Sequence, residues 1–335
     1  MSACENAPEP SGAFSVKTAH PATIFENPDE KSPVVQSLKT GEKLIDLGAV
    51  SAFEIRIQIA GRPVFSPWVK VQTKSGKPGW VLAALLEAPE NPDEWFFQKK
   101  LLCYFGKDLA ERRKHLILEQ IATAEDLANQ YRAAIALRDT CLLALRNRVE
   151  RGTAETRPDF DWLGNLLPGF LLQWAGDRMQ PRLYADWRVW LKKARGTGEA
   201  ADDRFFETCM AAFPADSIES ALPVWVFPID EEQSYSNLGQ GNHFRMLATL
   251  DAAFRQDTLF HLELIRLKDN ILEDILDNNR AYWQAQPKIL HELDQIIGAR
   301  FVCLSDRDYL ALKARRNMFN APEANQLKLN LRSGL

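Results

Sequence analysis

The sequence predicts a multi-domain α+β chain, an N-terminal five-stranded β-barrel followed by an all-α helical bundle. Three observations carry this reading. Within residues 14–87, apolar and polar residues alternate at the two-residue period of strands, between Gly and Pro turns. From Trp95 onward the apolar residues recur at helical spacing instead. The chain has 335 residues, enough for two domains, and its 46% hydrophobic and 26% charged composition is that of an ordinary folded protein.

Residues 1–13 are polar and rich in Pro and Ala, and read as a flexible tether. Phe14 and Val16 open the first strand, and Lys43-Leu-Ile-Asp-Leu47 follows the turn at Thr40-Gly41. Glu54-Ile-Arg-Ile-Gln-Ile59 alternates, with three isoleucines on one face. Two further strands begin around Trp68 and Trp80, separated by Gly76 and Pro78. Alternation sets Val69, Val71 and Thr73 on one face and Trp68, Lys70 and Gln72 on the other. A tryptophan on the polar face is a candidate contact surface. Five short strands in so few residues fit a small barrel, in which closure removes the exposed edges.

Phe25-Glu-Asn-Pro28, Val34-Val35, Leu38-Lys-Thr-Gly41-Glu42, Trp68-Val-Lys-Val71 and Gly79-Trp80-Val81 together resemble a bacterial SH3 (SH3b) domain, over residues 14–87. The segment from Gly48 to Pro67 is longer than the family pattern. The resemblance implies an SH3-like five-stranded barrel in a cell-envelope protein that binds a protein or a peptidoglycan stem peptide. It implies ligand contacts at Phe25, Trp68 and Trp80. Ser2-Ala3-Cys4 also resembles the end of a lipobox, with Met1 where that motif has leucine. That likeness implies a lipid on Cys4 and attachment to a membrane on the periplasmic side.

Residues 88–93, Ala-Pro-Glu-Asn-Pro-Asp, read as a linker with Asp93 as the next N-cap, and residues 94–319 as the helical domain. Thr123-Ala-Glu-Asp126 is a capping-box variant opening a helix that runs to Gly152. A second long helix carries Leu247, Leu250, Phe254, Leu262, Ile265, Leu272 and Ile275. Shorter helices are expected at 95–121, 182–194, 202–212, 288–297 and 306–317, and residues 320–335 form a tail. No apolar run reaches the roughly 20 residues of a membrane helix.

Chemistry is sparse in this sequence. The five histidines are scattered, and His291-Glu292 lacks the second histidine that would complete a zinc-binding helix face. No cofactor and no metal are expected. Gly239-Gln-Gly241 lacks the strand, glycines and lysine of a phosphate loop. Cys103, Cys141, Cys209 and Cys303 sit in apolar contexts and read as buried thiols, though their even number permits two disulfides. The net charge of −4, with no basic patch, argues against a nucleic-acid partner. Trp225, Phe227, Tyr235 and His243 lie in the longest irregular stretch, where they either line a pocket or pack on the bundle.

The sequence therefore points to a non-catalytic envelope binding protein with a helical scaffold. One alternative is a cell-wall glycosidase, because Glu219-Ser220 faintly resembles a lytic transglycosylase landmark and would make Glu219 the acid. The other is a cytoplasmic adaptor.

Overall fold

A computed structural model describes residues 14–88, 90–149, 160–175, 180–214, 222–228, 234–256 and 259–329. The chain divides into two compact units. Unit 1 takes Met1–Leu118 and Ala136–Leu166, and unit 2 takes Glu119–Ile135 and Leu167–Leu335.

Unit 1 is built on one antiparallel sheet of seven strands: β1 (Phe14–Thr18), β2 (Ala22–Phe25), β3 (Val34–Leu38), β4 (Lys43–Ile59), β5 (Arg62–Gln72), β6 (Pro78–Leu82) and β7 (Leu86–Glu87). Their order is β3-β2-β6-β5-β4-β1-β7, a sheet curled into a half-barrel. The expected five-stranded SH3-like barrel is therefore not formed. The two expected strands at 43–47 and 54–59 are one continuous strand, β4. The segments at 22–25 and 34–38 are strands in their own right, and β3 and β7 stand at the two ends of the order.

The curl has a local cause. The register of β4 against β5 shifts between Asp46 and Val50, and again between Val50 and Glu54. Such bulges bend a strand and increase its twist. At the first, the Gly48 amide donates to Asp46 Oδ1 (2.8 Å), and at the second the Trp68 amide donates to Ser51 Oγ (2.9 Å). The β4–β5 hairpin closes through Ala60 and Gly61, both at positive φ (50° and 79°), as a two-residue turn requires.

The inner face carries Val16, Ile24, Leu44, Val69, Val71 and Val81, all at most 3% exposed. Helix α1 (Pro92–Leu118) joins the same core through Trp95. Asn91, rather than Asp93, caps this helix: its Oδ1 accepts from the Glu94 amide (3.2 Å), with Pro92 following. Two buried carboxylates of β4 hold α1 down. Asp46 accepts from Lys99 Nζ (2.5 Å) and Trp95 Nε1 (3.0 Å), and Glu54 from Tyr104 Oη (2.7 Å), with Lys100 Nζ at 3.5 Å. Gly106, at φ 75° and ψ 178°, breaks α1 partway.

Helix α2 (Ala124–Val149) gives its first half to unit 2 and its second to unit 1. Its start is the expected capping-box variant, with Thr123 Oγ1 accepting from the Asp126 amide (3.1 Å) and Asp126 Oδ2 from the Thr123 amide (3.0 Å).

Unit 2 is not all-α. It contains the hairpin β8 (Phe170–Ala175) and β9 (Gln180–Ala185), then α3 (Trp187–Thr197) and α4 (Ala200–Ala212). Next come β10 (Val226–Pro228), β11 (Ser234–Ser236), α5 (Asn242–Phe254), α6 (His261–Leu276) and β12 (Ala281–Tyr282). Helices α7 (Gln286–Ala299) and α8 (Asp306–Met318) and strand β13 (Lys328–Leu329) complete it. Strands β10 to β13 form a four-stranded sheet in sequence order. The helix expected over 182–194 is instead β9 followed by α3, which Asp186 caps through the Arg188 amide (3.1 Å). The single long helix expected through 247–275 is two helices, α5 and α6.

The core of unit 2 is aromatic. Phe205 stacks on Phe260 at 4.3 Å and Trp190 on Phe206 at 6.0 Å, while the edge of Tyr131 meets all four of these rings. Cys103, Cys141, Cys209 and Cys303 are free and buried. No helix among the described residues is long and apolar enough to cross a membrane.

Candidate functional site

Two turns at one end of the half-barrel border an open cleft of about 500 Å³. One turn runs from Lys39 to Glu42 between β3 and β4, and the other starts at Thr73 after β5. Both are fixed by the sequence. In the first, Gly41 adopts φ 85°, which a residue with a Cβ rarely does. The buried Thr18 hydroxyl donates to the Lys39 carbonyl (2.5 Å) and accepts from the Glu42 amide (3.0 Å). Glu42 Oε1 accepts from the Lys39 amide at 2.6 Å. In the second, Gly76 sits at φ 80°, the Thr73 amide donates to the Lys77 carbonyl (3.0 Å), and Gln72 Nε2 to the Gly76 carbonyl (3.0 Å). The cleft is thus built before any ligand arrives, which lowers the ordering cost of binding.

Its charge is one-sided. Lys39, Lys43 and Lys74 border it against a single carboxylate, Glu42. All three lysines are exposed, and none has an ion-pair partner among the described residues. Thr40, Thr73 and Ser75 add hydroxyls. Ammonium groups and hydroxyls around a preformed cleft suit a carboxylate or another anion. They supply no nucleophile paired with a base.

These lysines were not among the residues expected from sequence. The signal was present as two similar turns, Lys39-Thr-Gly-Glu-Lys43 and Lys74-Ser-Gly-Lys77. Each reads first as punctuation between strands, and only the fold sets them side by side.

The expected contacts lie elsewhere. Phe25, Trp68 and Trp80 do come together, on the face of the sheet opposite the valines. Phe25 pairs with Trp80 across β2 and β6, and the Phe25 and Trp68 rings meet edge to face at 5.6 Å and 87°. Lys70 Nζ lies 6.0 Å from the Trp80 ring. Trp68, however, is 1% exposed, so its ring fills space instead of meeting a ligand, and its Nε1 has no partner among the described residues. Phe25 and Trp80 are half-buried, and none of the three lines the cleft. Cys4 and Glu219 lie outside the described residues.

Unit 2 holds a second polar cluster that is sealed. Asp274 Oδ2 accepts from Ser236 Oγ (2.5 Å) and lies 2.9 Å from His243 Nε2. His243 Nδ1 lies 3.9 Å from Glu292 Oε1. Serine, histidine and carboxylate are the ingredients of acyl transfer, but here serine and histidine share one carboxylate oxygen, and all four residues are at most 2% exposed. Glu292 takes the role a phosphate would have at Gly239-Gln-Gly241. Its Oε2 accepts from the Gly239 and Gly241 amides (2.5 and 2.9 Å), and its Oε1 from the Phe244 amide (3.0 Å) at the start of α5.

The remaining aromatics of 223–243 divide. Trp225 is buried, whereas Phe227 stacks on Trp283 at 4.7 Å and Tyr235 lies 5.7 Å from the same ring. Among the described residues, no group of three or more His, Cys, Asp or Glu side chains is arranged to hold a metal ion.

Comparison with protein-family models, with curated proteins and with solved structures gives no match.

Proposed function

We propose that this chain is a non-catalytic binding protein of the bacterial cell envelope. Its half-barrel takes a carboxylate-bearing peptide, from a protein or a peptidoglycan stem, in the cleft bordered by Lys39, Lys43 and Lys74. The observation that carries this reading is the set of three exposed lysines, without ion-pair partners among the described residues, around one preformed cleft. Unit 2 then serves as scaffold, which accords with its most enzyme-like side chains being packed into the interior. Membrane attachment through a lipid on Cys4 belongs to the same proposal and rests on Ser2-Ala3-Cys4. A Cys4→Ser chain that still incorporates a labelled fatty acid, or still sediments with membranes, would exclude that attachment.

The cleft is tested by titrating purified muropeptides and capped acidic peptides into the full chain by calorimetry. Reversing Lys39, Lys43 and Lys74 to Glu removes three attractive charges and adds three repulsive ones. Affinity is expected to fall at least tenfold, and wild-type affinity to weaken between 0.05 and 0.5 M salt as screening shortens. Equal affinity in the reversed protein sinks the cleft as the site.

A further inference from the structure

We infer that the ligand is an extended protein segment that adds to the half-barrel as an eighth strand, beside β3. This inference rests on the cleft reading above and names its partner. Strand β3 pairs with β2 alone, so its other edge has no strand partner among the described residues. Edge strands are blunted by charges, lysines or prolines, by bulges or by being short, because an open row of amides and carbonyls recruits other chains. Val34-Val-Gln-Ser-Leu38 carries no charge, lysine or proline, and is protected only by its five-residue length and one bulge. Val34 is 59% exposed and Ser37 is also exposed. The bulge lies at Val35, opposite Ile24 and Phe25, at the end away from the cleft, leaving Gln36, Ser37 and Leu38 in regular register with Ile24, Thr23 and Ala22.

The edge also leads into the charged cleft. Gln36 of β3 lines it, and the chain passes from Leu38 directly to Lys39. A strand laid along β3 rises about 3.3 Å per residue, so its end beside Leu38 delivers the next two or three side chains to the lysines. Backbone pairing supplies affinity without regard to sequence, and the lysines select a segment whose end is acidic. A regular ladder needs consecutive L-residues, which favours a protein segment over a wall peptide of mixed chirality.

The test uses two capped peptides, Val-Thr-Val-Thr-Val-Glu-Glu-Glu and its reverse, so that either strand direction can bring glutamates to the cleft. Versions N-methylated at alternate residues lose their backbone donors on one edge, and tri-glutamate supplies charge alone. Binding is read by calorimetry, and amide exchange is followed at residues 34–38. The inference expects one parent peptide to bind, to slow exchange at 34–38, and to weaken at least tenfold on N-methylation and again with Lys39→Glu/Lys74→Glu. Equal binding of the parent, its N-methylated form and tri-glutamate, with exchange at 34–38 unchanged, overturns strand addition and leaves the cleft standing. Failure of every probe to prefer wild type over the lysine-reversed protein overturns both.

Discussion

Replacing Glu292 tests whether the two glycines of 239–241 exist to hold a carboxylate. The side chain is 1% exposed and accepts three backbone amides, from Gly239, Gly241 and Phe244. A hydrogen bond to a charged group contributes about 1.5–3 kcal/mol, and burying a donor left without its acceptor costs about the same. Three such bonds sharing one acceptor group do not add fully, so Glu292→Ala is expected to lose about 4 kcal/mol. Glu292→Gln is the discriminating variant. Its amide oxygen can replace Oε2 and keep both glycine amides, but its NH₂ then faces the Phe244 amide, a loss of about 2 kcal/mol. With a urea m-value of about 2 kcal/mol/M, the midpoints fall by roughly 2 M and 1 M. Urea titration by near-ultraviolet circular dichroism, with exchange of the 239–244 amides, measures both. Midpoints within 0.3 M of wild type, or equal losses for the two variants, refute the argument.

Three further outcomes follow from the same packing. Gly239→Ala places a Cβ 2.8 Å from Gln284 Cβ and 3.1 Å from the Ile289 amide at φ 99°, so a loss of about 1–3 kcal/mol is expected in the same urea titration. Burial alone would raise the Glu263 carboxyl, but Arg132, with Nε at 2.7 Å, outweighs it and holds the group below the usual glutamate range. That stability is present above the unfolded value of 4.5 and lost as pH falls through the folded one. The melting-temperature gap between wild type and Glu263→Gln should therefore be wide at pH 7 and close toward pH 3. Burial pushes the thiols of Cys141 and Cys303 up to about 12 and that of Cys209 well above its ordinary value. The thiolate of a pKa-12 group is only about one part in ten thousand at pH 8. These thiols and Cys103 should react with a disulfide reagent only after urea is added, and rapid native labelling of two or more of them would contradict the packing.

The parts of the fold legible in the sequence were those governed by local period. The alternation from Trp68 to Val81 gave two strands and their inner face, that at 54–59 gave extended chain whose isoleucines are only half-buried, and Thr123 with Asp126 gave the start of α2. Alternation sorts side chains to two faces but does not say whether the second face is covered, which is why Trp68 reads as a surface and proves 1% exposed. The strand count failed twice over: bulges at Asp46–Val50 and Val50–Glu54 let β4 look like two strands, while β2, β3 and β7, too short to show a clear alternation, were not counted at all. The helix through 247–275 failed for a different reason, since its apolar period runs on past the end of α5 at Phe254 into α6 without a Gly or Pro to mark the change. The hairpin at 170–185 was hidden by Leu and Trp residues that suit a helix as well as a strand. The Glu292 cradle joins residues 51 and 53 apart in sequence, and the lysine cleft joins two loops that look like ordinary turns. No local pattern encodes either one.

The interleaving of the chain between its two units has a consequence for biosynthesis. The first unit needs Ala136–Leu166 as well as Met1–Leu118, and the stretch between them belongs to the other body. The sheet can complete its own pairings once Glu87 has emerged. The rest of its unit, however, is not present until Leu166 has been made, nearly half the polypeptide. Any chaperone that attends this protein should engage during that interval.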